Sequence, residues 1–444
     1  MDGKTTVEGT IPEVYVLWHP ACRIGESLAS RIYQWLRPGN GLGPDVFFRC
    51  LPRPDRSAGP LPLPIRGGEG NQPDGGPEQK TTRRSQLVTT QILILLIDCN
   101  LVADASWRYW LEGLAVALPN GPERVFLPVA LDSTAFNVPT CISRLNFLRP
   151  SGLPLPVSAT PADIAVVAQS LCKQLTEALC RSLVRRPEPE KPGAKEGTLA
   201  APLSVPAASP AKITIFLSHA KQDGAKPARR IRDYIYAQTQ IAAFFDENDI
   251  PYGVGFSDVL TAALKDGTAA IIVVWSAAYS SRPWCRKELS TYRTPLQDTS
   301  NPDGPEFWRL SPLLLVDALD AGADTAGMSE VGDSTHIRWS DDLKELEERI
   351  VTMALRDAML RSFHTTLARS LPRGPHNTRI VINWLPDPLT LMSIPQLRDP
   401  RNMAKGVSEI EVYYPGKGLS ALQLDTLDKH FPWAYFKSFE QALA

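Results

Sequence analysis

Ala269–Trp275 reads AAIIVVW and runs directly into Ser276–Leu289, SAAYSSRPWCRKEL. An apolar run of strand length with no polar alternation fits a strand buried on both faces, as in a parallel sheet covered by helices. The polar turn after it leads to PWCRKELS (Pro283–Ser290), the opening of a helix. The same alternation extends in both directions. Upstream lie a strand at Ile213–Ser218 (ITIFLS), a helix at Ala228–Ala237 and a strand at Ala242–Asp246 (AAFFD). A loop with Pro251 and Gly253 then opens a helix at Phe256–Lys265. Downstream, Leu313–Leu319 is a strand, and Leu343, Leu346, Ile350 and Met353 repeat with a 3.6-residue period. Strands alternating with helices in this way predict a doubly wound α/β unit.

The order of elements occurs once before. Val14–Trp18, Val46–Arg49, Gln91–Asp98 and Val125–Leu131 read as strands. Ile24–Leu36, Ser106–Leu114 and Pro161–Leu183 read as helices between and after them. The Phe47-Phe48 and Phe244-Phe245 pairs fall in corresponding strands, which suggests a duplicated domain. Two stretches rich in Pro, Gly, Ala and Glu have no hydrophobic period and interrupt this pattern. Pro52–Arg84 is an insertion inside the first α/β domain, and Arg185–Lys212 is a linker. The expected organisation is a tail at 1–12, a first α/β domain at 13–184 with its insertion at 52–84, and a linker at 185–211. A second α/β domain at 212–372 and an α/β extension at 373–444 follow. In the extension, Arg379–Trp384 and Glu409–Tyr414 are strands and Leu422–Phe431 is a helix. They form either extra strands on the second sheet or a separate small α/β unit.

Composition narrows the function. The chain has 444 residues, 43% apolar and 21% charged, enough for more than one core. Its 40 prolines fit long irregular connections. A formal charge of −1 argues against nucleic-acid wrapping or a polybasic membrane anchor. The apolar runs are far shorter than a bilayer span, and the polar start MDGKTTVEGT has no signal-peptide core. The 7 cysteines include no C-x-x-C pair, the pattern of reduced thiols in a cytoplasmic protein. The 6 histidines are scattered, so no metal site is expected. Glycines near Gly41 and Gly68 lie in Pro-rich loops rather than between a strand and a helix, so no dinucleotide fingerprint is supported. Pro415-Gly416-Lys417-Gly418 is a turn, not a phosphate loop.

In an open parallel sheet, ligands bind beyond the carboxyl ends of the strands. Three stretches occupy those places: FLSHAKQD (Phe216–Asp223), ENDIPYG (Glu247–Gly253) and SAAYSSRPWCRKEL. Together they resemble the boxes of TIR (Toll/interleukin-1 receptor) domains, especially bacterial ones that cleave NAD. The third box carries Pro283 as one extra residue before the Trp. The resemblance covers residues 212 to about 372 and implies a flavodoxin-like, TIR-type fold. The first domain resembles the family faintly: WHPA (Trp18–Ala21) stands where S-H-A would, and WRYWLEGL (Trp107–Leu114) is offset from WCRKEL. It reads as a degenerate copy.

The resemblance implies that Glu288 is the catalytic acid and that NAD is the substrate, with no cofactor. It places His219, Ala220, Phe256 and Trp284 against the substrate. The physical case stands beside it. Nicotinamide leaves as a neutral molecule from a cationic ring and needs no general acid. A single sheltered carboxylate can then stabilise the oxocarbenium-like ribose left behind. Trp284 and Glu288 are four apart on a helix, so an indole could stack on the pyridinium near the acid. Bland readings stay open for each residue. Glu288 could simply complement the helix dipole, His219 could cap a strand end, and Phe256 could be a core residue. Asp246 reads as a loop cap, Asp223 as ordering its own loop, and Cys285 as a structural thiol.

The leading expectation is an NAD glycohydrolase yielding ADP-ribose or a cyclic form, active in bacterial antiviral defence after self-association through TIR domains. The N-terminal domain would sense a trigger or dock a partner, with Glu112 keeping open a second site. The alternatives are a non-enzymatic TIR adaptor acting by homotypic contact and a nucleotide sensor without turnover. Adaptors typically lack the acid of W-C-x-x-E, which this chain has.

Overall fold

Residues 11–39, 41–49, 89–117, 124–156, 158–184, 213–244, 268–298, 306–319, 334–369, 371, 379–399 and 409–443 are described in the computed structural model. They fall in two units. One comprises Met1–Thr176, Pro295–Leu310 and Leu360–Ala444; the other comprises Glu177–Thr294 and Ser311–Met359. The 52–84 insertion, the 185–211 linker, the loop around Pro251 and the helix expected at Phe256–Lys265 lie outside the described residues.

The first sheet is built from β1 (Ile11–Trp18), β2 (Asp45–Arg49), β3 (Thr89–Ile97) and β4 (Arg124–Ala130). Its helices are α1 (Gly25–Leu36), α2 (Cys99–Ala103), α3 (Ala105–Ala117), α4 (Thr140–Ser143) and α5 (Pro161–Val184). The strands run in the order β2–β1–β3–β4, all parallel. Ile92–Ile97 of β3 are at most 1% exposed, as an uninterrupted apolar run at the sheet centre requires.

The second sheet begins with β5 (Thr214–His219), α6 (Ala225–Gln238), β6 (Ala242–Phe244), β7 (Thr268–Trp275) and α7 (Pro283–Arg293). The chain then forms β8 (Leu296–Asp298) and β9 (Glu306–Arg309), which pair elsewhere. It returns as β10 (Leu313–Asp317), β11 (Thr335–Arg338) and α8 (Leu346–Arg369). The order β11–β10–β7–β5–β6, wholly parallel, is that of a doubly wound sheet, with the chain reversing direction between β5 and β7. Leu343, placed on the helix by its spacing, precedes α8 and is 51% exposed. Glu345, at φ 59, interrupts the period just before the helix begins.

The third sheet answers what the C-terminal strands join. Its later elements are β12 (Arg379–Ile382), α9 (Pro388–Leu391), α10 (Pro395–Arg398), β13 (Ile410–Tyr414), α11 (Ala421–His430), β14 (Ala434–Ser438) and α12 (Phe439–Leu443). The order is β14–β13–β12–β9–β8, with β8 antiparallel and the rest parallel. The C-terminal strands therefore pair with a segment inserted between α7 and β10. Trp308 of β9 is buried with Ile380, Ile382, Val412 and Phe431, which explains why β9 belongs there.

Gly43 marks a tight approach within the first unit. Its φ is +104, and a Cβ there would stand 1.9 Å from the Leu36 carbonyl oxygen, so glycine is required. Its N–H donates to Nε2 of the buried His364 at 3.2 Å.

Of the cysteines expected as core thiols, Cys22, Cys172, Cys180 and Cys285 are buried, whereas Cys99 and Cys141 are exposed on short helices. Burial pushes the Cys22 and Cys180 thiols up to about 12, which makes them poor nucleophiles. Cys50 lies outside the described residues.

Candidate active site

The loop after β7 ends at Arg282 in extended backbone, and Pro283 opens α7 with its φ already helical. The buried residues of this helix are Cys285, Glu288, Leu289 and Tyr292, one face at helical spacing. Glu288 is thus a carboxylate on a core-facing stripe, only 6% exposed. A buried carboxylate is costly unless donors meet it. Ser218 near the end of β5 meets it: its Oγ–H donates to Glu288 Oε2 at 2.5 Å. The fully buried Tyr279 stands behind, its hydroxyl 2.7 Å from Ser218 Oγ. A serine hydroxyl has one proton; with that proton on the carboxylate bond, Ser218 Oγ accepts from Tyr279, whose hydroxyl also has the Cys285 carbonyl as an acceptor at 3.3 Å. Burial pushes the Tyr279 phenol well above its usual 10, and the Glu288 charge pushes it further. It therefore stays protonated and keeps donating.

Neighbouring groups brace this chain of hydroxyls. Asp223 accepts from Ser276 Oγ at 2.5 Å and from the Ala278 N–H at 2.8 Å, tying the loop after β5 to the loop after β7. It orders more than its own loop. Cys285 Sγ donates to the His219 carbonyl at 3.5 Å, a structural contact rather than a nucleophile with a base. Ala220 is 1% exposed and packs in one cluster with Phe216, Tyr279 and Cys285.

The five residues singled out in the sequence are therefore distributed unevenly. Glu288, His219 and Ala220 converge on the junction of β5 with α7. Trp284 is 41% exposed, against 6% for Glu288, and the Lys287 ammonium lies 4.7 Å from its ring centroid. Phe256 lies outside the described residues. Ser218 and Tyr279 were given no role from sequence. One signal did point to Ser218: strand alternation puts it on the face of Phe216, which packs with the buried side of α7. Among the described residues, no group of three or more His, Cys, Asp or Glu side chains could hold a metal ion.

Residues 215–348 match the family model described as the TIR domain. The second sheet falls within this TIR-domain match. The TIR domains of the activated Roq1 resistosome, which directly recognises the pathogen effector XopQ, are 17% identical, with 34% of this chain and 84% of that chain covered and a TM-score of 0.20. Tagatose-6-phosphate ketose/aldose isomerase from Escherichia coli is 12% identical, with 80% of this chain and 84% of that one covered, also at 0.20. No curated protein matches the chain.

The first sheet can be compared with the TIR domain residue by residue. Tyr15 pairs with Phe47 across β1 and β2, and their rings stack at 5.3 Å. Phe216 pairs with Phe244 across β5 and β6, and their rings stack at 5.2 Å. Counting from these pairs, Leu17 holds the register of Ser218 and Trp18 that of His219. Leu17 packs in one apolar cluster with Trp107, Trp110 and Leu111 of α3. Glu112, the single acid on α3, is exposed, so it does not reproduce the buried position of Glu288. His19 instead lies 3.3 Å from Asp104, which caps the start of α3 through the Ser106 and Trp107 N–H groups.

Proposed function

We propose that the chain is an NAD glycohydrolase whose catalytic residue is Glu288. The observation that carries the reading is a carboxylate buried at the carboxyl end of a parallel sheet in a TIR domain, aligned by the Ser218 hydroxyl. The reaction is NAD plus water giving nicotinamide, ADP-ribose and a proton, or intramolecular closure to a cyclic ADP-ribose. The glycosidic C–N bond breaks and its electron pair neutralises the nicotinamide ring. Positive charge moves onto the ribose, where a fixed anion in a water-poor site stabilises it. Trp284 offers an aromatic face for the cationic ring, and His219, Ala220 and Phe256 contact the rest of the nucleotide.

We assign the first domain as a degenerate TIR-like copy with a sensing or docking role. The shared strand order and stacked aromatic pairs support this, as does the Leu17 cluster where Ser218 stands in the TIR domain. We place the protein in the cytoplasm, self-associating through TIR contacts, in antiviral defence. Among the described residues, no helix is long and apolar enough to cross a membrane.

The test is nicotinamide release from NAD by the purified chain at high protein concentration, compared with Glu288→Gln. The expected result is release by the native chain, lowered by about a hundredfold or more in the variant. Turnover that survives in Glu288→Gln refutes the site. Absence of turnover in the native chain, with TIR-dependent self-association intact, favours the adaptor reading instead.

A further inference from the structure

We propose that Ser218 is the positioning residue for Glu288, and that Tyr279 in turn fixes Ser218; this rests on the glycohydrolase reading above. A glutamate side chain on a helix has three rotatable bonds, and a carboxylate that swings by an ångström stabilises a developing cation poorly. Here Oε2 is held at 2.5 Å by a hydroxyl from a central strand of the sheet rather than from a loop. That hydroxyl is itself oriented, because the Tyr279 O–H 2.7 Å away leaves Ser218 one useful direction for its proton.

Both supports are almost inaccessible to water, Ser218 at 1% and Tyr279 at 0% exposure. Tyr279 is anchored by ring contact with Trp275 at 4.9 Å between centroids and lies 3.3 Å from the Cys285 carbonyl, on the same helix as Glu288. The three polar groups thus come from β5, the loop after β7 and α7, and their hydrogen bonds make the carboxylate rigid with respect to the sheet. Neither hydroxyl needs to touch substrate. Their effect is to keep the acid's lone pairs aimed, which alters the transition state more than the ground state.

The experiment measures kcat and KM for nicotinamide release by the full chain and by Ser218→Ala, Ser218→Thr, Tyr279→Phe and the Ser218→Ala/Tyr279→Phe double variant. Loss of one charge-assisted hydrogen bond should lower kcat about ten- to a hundredfold in Ser218→Ala, with KM changed by no more than about twofold. Ser218→Thr keeps the hydroxyl and should recover most of that loss. Tyr279→Phe should give a smaller fall in kcat. The double variant should be no slower than Ser218→Ala, because Tyr279 acts through Ser218. Far-UV circular dichroism checks folding, and if Ser218→Ala fails to fold, Tyr279→Phe and Ser218→Thr decide the matter. A Ser218→Ala enzyme with native kcat, or one changed in KM alone, overturns the proposal and leaves the glycohydrolase reading standing. A native chain that releases no nicotinamide overturns both.

Discussion

Acid should weaken the first unit through His364. The ring is 2% exposed and accepts the Gly43 N–H at Nε2, so that nitrogen carries no proton. Burial, with the positive charge of Arg361 adding to it and the Asn383 backbone partly offsetting it, lowers this histidine from 6.5 to about 3. Arg37 and Glu440 line the small cavity beside the ring as well. In the unfolded chain the imidazole takes up a proton as pH falls below its ordinary value, whereas the folded chain does not until near 3. Between those limits the unfolded state binds more protons, so stability is fully present above 6.5 and declines as the solution is acidified. At pH 5 the difference is about 1.5 units, or roughly 2 kcal/mol at 1.36 kcal/mol per unit. Urea unfolding of the full chain at pH 7.5 and pH 5, compared with His364→Gln, measures it. Glutamine can still accept the Gly43 N–H but does not titrate. The native chain should lose about 2 kcal/mol more than the variant over this range, and the His364 ring should remain neutral by NMR at pH 5. Equal losses in the two proteins, or a ring that titrates near 6.5, would refute the reasoning.

Two further outcomes are expected besides the Glu288 and Ser218 series. Lys287 occupies a face of the Trp284 indole with its own cation, in competition with a pyridinium ring, so Lys287→Ala should lower KM for NAD about two- to fivefold. A raised KM would mean that the lysine helps to bind the dinucleotide. A thiol reagent at pH 8 should modify Cys99 and Cys141 on the native chain and leave Cys22, Cys172, Cys180 and Cys285 untouched until denaturant is added. Mass spectrometry after short exposure reads this directly, and early labelling of Cys285 would show that the α7 junction opens.

Much of the fold was legible because its central strands carry their own signal. ILILLI (Ile92–Ile97) and AAIIVVW are apolar without interruption, and only a strand covered on both faces can bury such a run. β8, β9, β11 and β14 gave no such signal. They are three to five residues long, and LQD, EFWR, THIR and AYFKS mix charged residues with one to three apolar or aromatic ones. Their identity as strands comes from the partner they pair with. The acid was found on motif grounds, and its spacing of four from Trp284 set both on one helical face; the structure instead buries Glu288 with Cys285, Leu289 and Tyr292 and leaves Trp284 41% exposed. What stayed hidden was that Glu288 points inward, that a serine 70 residues earlier bonds it there, and that Tyr279 in turn bonds that serine.

The sequence by itself determined the parallel α/β architecture, the repeated order of elements and the acidic residue on which the chemistry is proposed. These are properties of local periodicity and of short runs read in place. Only the tertiary structure decided that β8 and β9 pair in a third sheet rather than in the second, that Leu17 of the first sheet packs in an apolar cluster with α3, and that Glu288 is held by a relay of buried hydroxyls. Each of those depends on contacts between residues far apart along the chain, and the free energy of such contacts is set by burial and hydrogen-bond geometry that no local pattern encodes.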